Sequence, residues 1–253
     1  MLAAGAGTRL RPLTLLRPKV LCPLGDRPLV DHAIDRFAGV TDSVAVNIHA
    51  DREQFESHLA GRVHLSFEEN EVLGTAGALG HMRDWIAGRP LLVVNGDTWC
   101  PQSVDVLLGA GAGREGRDGR EDWDGERIRV LVVGTDIFRS GVPVAGALLP
   151  WSDVAGIPAE PSGLTPIWLR AAEEDRLEPV RLDEGIPWAD CGTPASYLGA
   201  NLQWSGGESV IGASAVVEGG VERCVIWPGA VVHPHEHLVD AVRADDRMTV
   251  LVR

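Results

Sequence analysis

Apolar positions along the first hundred residues follow two alternating spacings. Some segments repeat apolar side chains at helical spacing, and others are short apolar or alternating runs that are typical of strands. Because the two kinds of segment alternate along the chain, the pattern predicts an α/β protein with a Rossmann-like, doubly wound and mostly parallel sheet. The predicted helices are 28–37, 52–59 and 75–87, and the predicted strands are 43–49, 63–67 and 90–95.

The pattern changes in the second half of the chain. Residues 109–127 are rich in glycine, aspartate and arginine, and this composition predicts a flexible surface insertion. The strand pattern then returns at 129–134, 144–149 and 177–182, with a short helix predicted at 168–172.

The last fifty residues have a pattern of their own. From about residue 209, apolar triplets recur every five or six residues, with small residues and glycines between them. A period this short predicts a left-handed, hexapeptide-type β-helix with one strand per repeat. Only about two coils fit, and fewer than three repeats are rarely stable alone, so we expect the tail to pack against the main domain or another subunit. The predicted division is a main domain at 1–204 and a short β-helix tail at 205–253.

Charge and composition exclude several classes of protein. The 253 residues carry 36 acidic and 23 basic side chains, and the net charge of −13 argues against a partner that is a nucleic acid or an anionic membrane. The sequence has no uncharged apolar run of the length that a membrane-spanning helix needs. Four cysteines lie far apart without a C-x-x-C pair, so we expect neither disulfides nor structural zinc, and a cytoplasmic location.

One basic residue differs from all the others. Lys19 is the only lysine in the chain, and every other basic residue is arginine. Either this lysine survives by chance in a composition that favours arginine, or its site needs a compact charge on a flexible stem. It follows a turn in which Gly5 and Gly7 let backbone N–H groups approach phosphate oxygens and Arg9 offers a bidentate contact. The alternative is a plain strand–helix turn with surface arginines, since the turn matches neither a dinucleotide-binding motif nor a P-loop.

Other candidate residues follow predicted elements. Asp97 comes just after the predicted strand 90–95, at the carboxyl end where such sheets bind ligands, although an ordinary turn aspartate is the alternative. The segment L-G-T-A-G-A-L at 73–79 predicts a glycine turn that opens a capped helix. Three histidines alternate in the tail and form either a metal site or, as we prefer, an exposed turn: His233, His235 and His237.

These motifs together resemble those of the sugar-1-phosphate nucleotidyltransferases, also called NDP-sugar pyrophosphorylases. The family signature L-A-A-G-x-G-T-R-L-x-P-x-T, followed by P-K-x-L-x-P, is matched at 2–14 and 18–23. The segment 73–79 and the W-x-D-x-G-T-P-x-x-Y motif at 188–197 match two further family motifs. In overall look the chain is most similar to mannose-1-phosphate guanylyltransferases and glucose-1-phosphate nucleotidyltransferase-like proteins, and the tail segment 224–230 resembles the β-helix of the former.

The resemblance implies a reaction and the residues that perform it. A sugar-1-phosphate oxygen would attack the α-phosphate of a nucleoside triphosphate in line, giving an NDP-sugar and pyrophosphate. Arg9 would grip the departing pyrophosphate, and Lys19 would contact the reacting phosphates. Asp97 and Asp190 would together hold one Mg²⁺, for which oxygen ligands are suited. The expected partners are therefore the two substrates, with possible homo-oligomerisation through the tail.

The resemblance also implies where the nucleotide lies. The glycine loop would hold the triphosphate, and the segment 73–79 would lie against the base. A polar side chain just upstream would recognise the edge of the base, and Glu69 and Glu71 are equal alternatives for it. The nucleotide-binding residues implied in this way are Leu2, Ala3, Ala4, Gly5, Gly7, Thr8, Glu69, Gly74 and Thr75.

The chain departs from the family pattern in two places. Family members usually carry two to five more residues before L-A-A-G, so we expect either a shortened central strand or a start codon further upstream. The family also has an F-x-E-K-P motif whose lysine holds the sugar phosphate, and this chain has no second lysine. Arg139 or Arg170 is the expected substitute. Both departures favour an alternative function, a non-catalytic homologue that binds a nucleotide sugar and regulates or scaffolds a partner. An acyltransferase that uses the β-helix is a weaker third reading.

Overall fold

The computed structural model describes residues 1–109 and 121–252, so much of the predicted insertion 109–127 lies outside the described residues. The α-helices are α1 (Leu29–Asp35), α2 (Arg52–Leu59), α3 (Gly74–His81), α4 (Arg83–Ile86), α5 (Trp151–Val154), α6 (Thr165–Glu173) and α7 (Pro194–Trp204). The strands are β1 (Pro23–Leu24), β2 (Arg27–Pro28), β3 (Ala45–Ile48), β4 (His64–Phe67), β5 (Leu91–Val93), β6 (Thr98–Trp99), β7 (Ile128–Val132), β8 (Val144–Leu149), β9 (Leu177–Arg181), β10 (Ala189–Asp190), β11 (Val210–Ile211), β12 (Val216–Val217), β13 (Gly220–Glu222), β14 (Val225–Ile226), β15 (Val231–Val232), β16 (His237–Val239), β17 (Ala241–Arg243) and β18 (Thr249–Leu251).

The chain forms two compact units, each assembled from several segments. The first comprises the described parts of Met1–Gly5, Ala33–Gly96 and Pro101–Ile186. The second comprises the described parts of Ala6–His32, Asp97–Cys100 and Pro187–Arg253. The division into domains at 1–204 and 205–253 stays a prediction.

The first unit contains the mixed but mostly parallel sheet that the sequence pattern predicts. β3 and β4 pair in parallel, as do β7 and β9, and β8 runs antiparallel to both of its neighbours, β5 and β7. Leu2 joins the two parts of the sheet, because it makes parallel bridges to Asn47 and to Asn95. The predicted α/β fold class with a mostly parallel sheet is therefore confirmed.

The core of the first unit lies between this sheet and its helices. Its central strands β7 and β8 are buried along nearly their whole length, as expected for a sheet covered on both faces. The predicted helix 75–87 is divided into α3 and α4 at Met82, whose ψ of 8° departs from helical geometry. Buried helix residues that pack into this core include Leu79, Ile86 and Ala171.

Parallel strand stacks in the second unit are consistent with a β-helix-like tail. β11, β14 and β17 stack in parallel, as do β12 with β15 and β13 with β16. Equivalent positions are 15 to 17 residues apart, since Val210 pairs with Val225 and Val225 pairs with Val242. Each coil therefore contains three short strands, and about two coils are present before β18 closes the stack in antiparallel fashion. The left hand and the hexapeptide type stay predictions.

Helix α7 anchors the core of the second unit. It begins with a capping box in which the Thr193 side chain accepts from Ser196 N and the Ser196 hydroxyl accepts from Thr193 N. Pro194 fills the first helical turn, where its missing N–H costs nothing. The helix buries Tyr197 against the tail residue Trp227, and both side chains are inaccessible to solvent.

Two further observations concern the predicted class of protein. No helix in the described part of the chain is both long and apolar enough to cross a membrane. All four cysteines are free thiols and buried: Cys22, Cys100, Cys191 and Cys224.

Candidate functional site

The glycine loop of the second unit is tightly closed. Gly7 has a φ of 59°, in the left-handed region that favours glycine, and directly precedes a 3-10 helix at Thr8–Leu10. The Thr14 hydroxyl donates to Gly7 O at 3.0 Å, and a Cβ atom at Gly7 would lie 2.9 Å from the Thr14 methyl group. Leu10 and Leu13 are fully buried and anchor the loop, which leaves Thr8 and Arg9 exposed. The local sequence thus presents polar groups on an anchored loop.

Lys19 lies in another 3-10 helix, Lys19–Leu21, and its ammonium forms an ion pair with the Asp97 carboxylate. The Lys19 side chain is only 11% exposed and that of Asp97 24% exposed. Asp97 is held in turn by its backbone, since its carbonyl accepts from Cys191 N at 3.0 Å. Burial raises the pKa of the Cys191 thiol to about 12, and the neighbouring charge of Asp97 adds to that shift. This thiol therefore carries no charge beside the ion pair.

Asp190 reaches the same region through a short antiparallel ribbon. β6 and β10 pair so that Asp190 lies opposite Thr98, the residue directly after Asp97. Arg9 approaches Asp190, with 3.5 Å between Arg9 Nη2 and Asp190 Oδ2. Gly192 makes this approach possible, because a Cβ atom there would lie 2.8 Å from Arg9 Nη2 and 2.8 Å from Asp190 Oδ1.

These contacts define a charged cluster made of Arg9, Lys19, Asp97 and Asp190. The sequence motifs predict that the four residues lie together, and the second unit places them in two adjacent ion pairs. Two cations and two carboxylates side by side are suited to polyanionic phosphates and to a hard divalent cation. The roles assigned to the four side chains stay predictions.

The start of the chain lies at the carboxyl end of β5 in the first unit. Leu2 N donates to Val94 O at 2.9 Å, and Gly96 N donates to Leu2 O at 2.8 Å. Ala3 N donates to the side-chain oxygen of Asn47 at 2.7 Å. Ala4 is buried and Gly5 is exposed.

A buried carboxylate next to this strand end is absent from the sequence-based candidates. Glu68 is 2% exposed, and its two carboxylate oxygens accept from Asn47 Nδ2 at 2.7 Å and from Leu73 N at 2.9 Å. It therefore connects the strand that pairs with Leu2 to the loop that precedes α3. The alternatives Glu69 and Glu71 are both exposed, so the choice between them for the base stays open.

Gly74 and Thr75 are used for packing within the first unit. Gly74 has a φ of 71°, and a Cβ atom there would lie 2.5 Å from Ser162 O. The Thr75 hydroxyl accepts from Leu164 N at 2.9 Å, and Ala76 N donates to Ser162 O at 3.0 Å. Helix α3 begins without a side-chain cap, so the expected capped start is wrong, and backbone from a distant loop replaces the cap. Nucleotide binding by Gly74 and Thr75 stays a prediction.

A cavity in the first unit opens beside these residues. Its volume is about 240 Å³, and its walls include Leu2, Asn95, Val144, Leu164 and Trp168. Apolar side chains and polar groups share these walls, and the amide of Asn95 is among the polar groups. A concave site that combines apolar walls with polar groups can hold a small molecule.

The remaining sequence-based candidates have less support. Arg139 and Arg170 are both exposed, and their service as a substitute lysine stays a prediction. His233 and His235 are exposed and stack with ring centroids 5.8 Å apart. In the described ranges 1–109 and 121–252, His, Cys, Asp and Glu side chains form no group of three or more that is suited to a metal ion.

The fold is that of an α/β protein, and comparison with known proteins identifies what the chain is similar to. Residues 1–112 match the family model described as nucleotidyl transferase. An N-acetylmuramate alpha-1-phosphate uridylyltransferase from Caulobacter vibrioides is 28% identical over 242 residues, which cover 80% of this chain and 95% of that protein. The first 112 residues are thus similar to nucleotidyl transferases, and the similarity to the uridylyltransferase extends over most of the chain.

Two further similarities are more limited. A mannose-1-phosphate guanyltransferase from Schizosaccharomyces pombe is 41% identical over 111 residues, which cover 40% of this chain and only 30% of that protein. A Bacillus anthracis protein assigned as a glucose-1-phosphate thymidylyltransferase and crystallised with sucrose has a TM-score of 0.65, over 80% of this chain and 92% of that chain. Its sequence identity is 19%, so this likeness is one of fold.

Proposed function

We propose that this protein couples a sugar-1-phosphate to a nucleoside triphosphate, releasing pyrophosphate and forming an NDP-sugar. The observation that carries the proposal is the charged cluster, in which the only lysine of the chain is paired with Asp97 and Arg9 is paired with Asp190. A site of this kind presents two cations to phosphates and two carboxylates to a divalent metal ion. The names of the relatives support the same class of reaction.

The chemistry needs charge neutralisation more than proton transfer. An oxygen of the sugar phosphate, already ionised at neutral pH, forms a bond to the α-phosphorus, and the bond from that phosphorus to the bridging oxygen breaks. Pyrophosphate leaves with the electron pair, so no proton has to move. The obstacle is the electrostatic repulsion between two polyanionic substrates. The positive charges of Arg9 and Lys19 reduce this repulsion and stabilise the charge of the reacting phosphates.

The residues of the site fit a divalent metal ion that arrives with the nucleotide. Asp97 and Asp190 supply two carboxylates, and Mg²⁺ is commonly held by one or two carboxylates together with phosphate oxygens and water. When bound, the metal neutralises phosphate charge. With the two acids holding the metal, Lys19 and Arg9, which are paired with those acids here, would be available to the phosphates.

The first substrates to try follow from the relative that matches over most of its length. The name of that relative specifies uridylyl transfer to N-acetylmuramate α-1-phosphate, so UTP with that sugar phosphate is the first substrate pair to test. Mannose-1-phosphate with GTP is the second pair, in line with the shorter match.

The test is pyrophosphate release by the purified chain with each pair in the presence of Mg²⁺, compared with Asp97→Asn. We expect release by the wild-type chain and a large loss in the variant. A chain that binds a nucleotide sugar in calorimetry but releases no pyrophosphate with any pair supports the second candidate, a binding homologue with a regulatory role. The observation that favours this second candidate is the lack of any lysine besides Lys19.

A further inference from the structure

Trp227 of the tail makes two contacts that its packing alone does not require. Trp227 lies in the turn that joins β14 to β15, and its side chain is fully buried. The backbone N–H of Trp227 donates to Arg243 O at 2.8 Å within the coils. Its ring lies under the guanidinium of Arg17, with 4.7 Å from Arg17 Cζ to the ring centroid. Its Nε1–H donates to the Tyr197 hydroxyl at 3.0 Å.

The hydroxyl of Tyr197 continues this path, because it donates in turn to Pro23 O. Trp227 therefore touches Arg17 directly and reaches Pro23 through one side chain. Arg17 lies two residues before Lys19, and Pro23 lies four residues after it. One tail residue thus holds both ends of the segment that carries the only lysine.

The segment 17–23 between these two contacts is compact. Leu21 N donates to Pro18 O at 2.9 Å, and Cys22 N donates to Lys19 O at 3.0 Å, so the segment is a single closed turn. A short turn that is fixed at both ends transmits a displacement of either end to the residues between them. Lys19 is one of those residues, and its ammonium has to meet Asp97.

We infer that Trp227 is a positioning residue for Lys19, acting through the Arg17 contact on one side and the Tyr197–Pro23 hydrogen bonds on the other. The tail thereby has a role in the reaction besides filling the core of the second unit. The kinetic part of this inference rests on the proposed function, whereas the geometric part does not.

The single lysine allows a test that needs no activity. A chain that has incorporated 13Cε-lysine gives one lysine signal, which reports the surroundings of Lys19 directly. Trp227→Phe keeps an aromatic ring under Arg17 and removes the Nε1–H donor, and Tyr197→Phe removes the hydroxyl that joins Trp227 to Pro23. We expect both variants to move or broaden the Lys19 signal. With active protein we also expect kcat to fall by roughly tenfold to a hundredfold, as for a misplaced catalytic group.

Two control variants separate positioning from general loss of stability. Val225→Ala shortens a fully buried residue of the same core but leaves every donor and acceptor between Trp227 and Pro23 in place, and Ile211→Ala changes an exposed tail residue. All chains are compared below their unfolding midpoints, determined by circular dichroism. The inference predicts an unchanged Lys19 signal and unchanged kcat in both controls, including Val225→Ala despite its lower midpoint.

Failure of this inference can be told apart from failure of the proposed function. A Lys19 signal that stays in place in Trp227→Phe and Tyr197→Phe overturns the inference, even where the enzyme is active. A signal that moves equally in Val225→Ala overturns it as well, because the effect is then one of tail stability. A wild-type chain that releases no pyrophosphate overturns the proposed function, and the lysine signal still decides the role of Trp227.

Discussion

The ammonium of Lys19 is paired with the carboxylate of Asp97, although the two residues are 78 positions apart in the sequence. Lys19 stands in a 3-10 turn, and Asp97 directly precedes the two-residue strand β6. The pair is mostly shielded from solvent, so separating the two groups would leave a poorly solvated charge on each. Each group therefore needs a replacement partner when the pair opens. A bound phosphate for Lys19 and a bound cation for Asp97 are the replacements that the proposed reaction supplies.

Lys19→Arg is the first prediction. The variant keeps the positive charge but puts a planar fork where a compact ammonium stands, and a side chain that is 11% exposed leaves little room for it. We expect kcat for pyrophosphate release to fall roughly a hundredfold to a thousandfold, as it does when one stabilising donor is removed from an active site. The control is Arg247→Lys, at a side chain that is 90% exposed, which we expect to leave kcat unchanged. Wild-type turnover in Lys19→Arg contradicts the role given to Lys19.

Glu68→Gln is expected to destabilise the first unit. Both carboxylate oxygens of Glu68 accept hydrogen bonds, and an amide offers only one acceptor, so either Asn47 Nδ2 or Leu73 N loses its partner. We expect the free energy of unfolding in urea to fall by about 1–3 kcal/mol, the cost of a buried unsatisfied polar group. Glu69→Gln and Glu71→Gln change exposed neighbours and serve as controls, with expected changes within about 0.5 kcal/mol. Equal effects in all three variants would show that Glu68 has no special role.

Two helical glycines are expected to respond to alanine in opposite directions. At Gly77 in α3, a Cβ atom would lie 2.0 Å from the backbone oxygen of Glu160, so Gly77→Ala forces the helix away from that loop. We expect a loss of about 3 kcal/mol in the free energy of unfolding, near the upper end for overpacking. At Gly199 in α7, nothing lies within 4 Å of the added atom, and Gly199→Ala should add about 0.5–1 kcal/mol. Urea unfolding of both variants checks the sign of each change, and a stable Gly77→Ala chain refutes the close packing of α3.

Two cysteines are expected to resist alkylation in the folded chain. Burial raises the pKa of the Cys22 thiol to about 12, against the charges of Arg17 and Lys19, and burial likewise raises the pKa of Cys191 to about 12. A shift of about three units leaves roughly a thousandfold less thiolate than an ordinary thiol has at the same pH. Mass spectrometry after iodoacetamide treatment should find neither residue labelled in native protein. Denatured protein, in which all four cysteines should react, is the control, and rapid native labelling of Cys22 or Cys191 contradicts their burial.

Motif spacing predicts which charged residues form the cluster, but it does not predict how they pair. Lys19 pairs with Asp97 and Arg9 with Asp190 because of the register of β6 with β10 and the turns that carry the two cations. The sequence identifies Gly192 only as part of a motif. The structure gives the physical reason for a glycine at this position, because a Cβ atom would have no room beside Arg9. Such reasons depend on contacts between distant segments, and a local pattern does not contain them.

Glu68 shows how the sequence pattern fails at one residue. In β4 the apolar residues Leu65 and Phe67 suggest the inward face, yet Ser66 and Glu68 are the buried positions. The strand buries its polar phase because Asn47, His81 and the start of α3 supply hydrogen-bond partners there. Alternation alone gives the period of a strand, and the partners across the sheet decide which phase faces inward.

The last prediction concerns pH and the chain that begins at Met1. Its N-terminal amine is fully buried and donates to Ala45 O, and burial lowers the pKa of this amine from 8.0 to about 5. Between these two values the unfolded chain binds more protons than the folded chain, so the free energy of unfolding rises as pH increases from about 5 to 8. Three pKa units correspond to at most about 4 kcal/mol.

Urea unfolding at several pH values across this range measures the slope. Acetylation of the Met1 amine removes the titrating group while leaving the eight histidines in place, so the difference between the two slopes isolates its contribution. We expect the unmodified chain to gain stability with rising pH more steeply than the acetylated chain, by up to about 1.4 kcal/mol per pH unit. Parallel slopes for the two chains mean that the amine is solvated in the native state, and the contact with Ala45 then does not persist in solution.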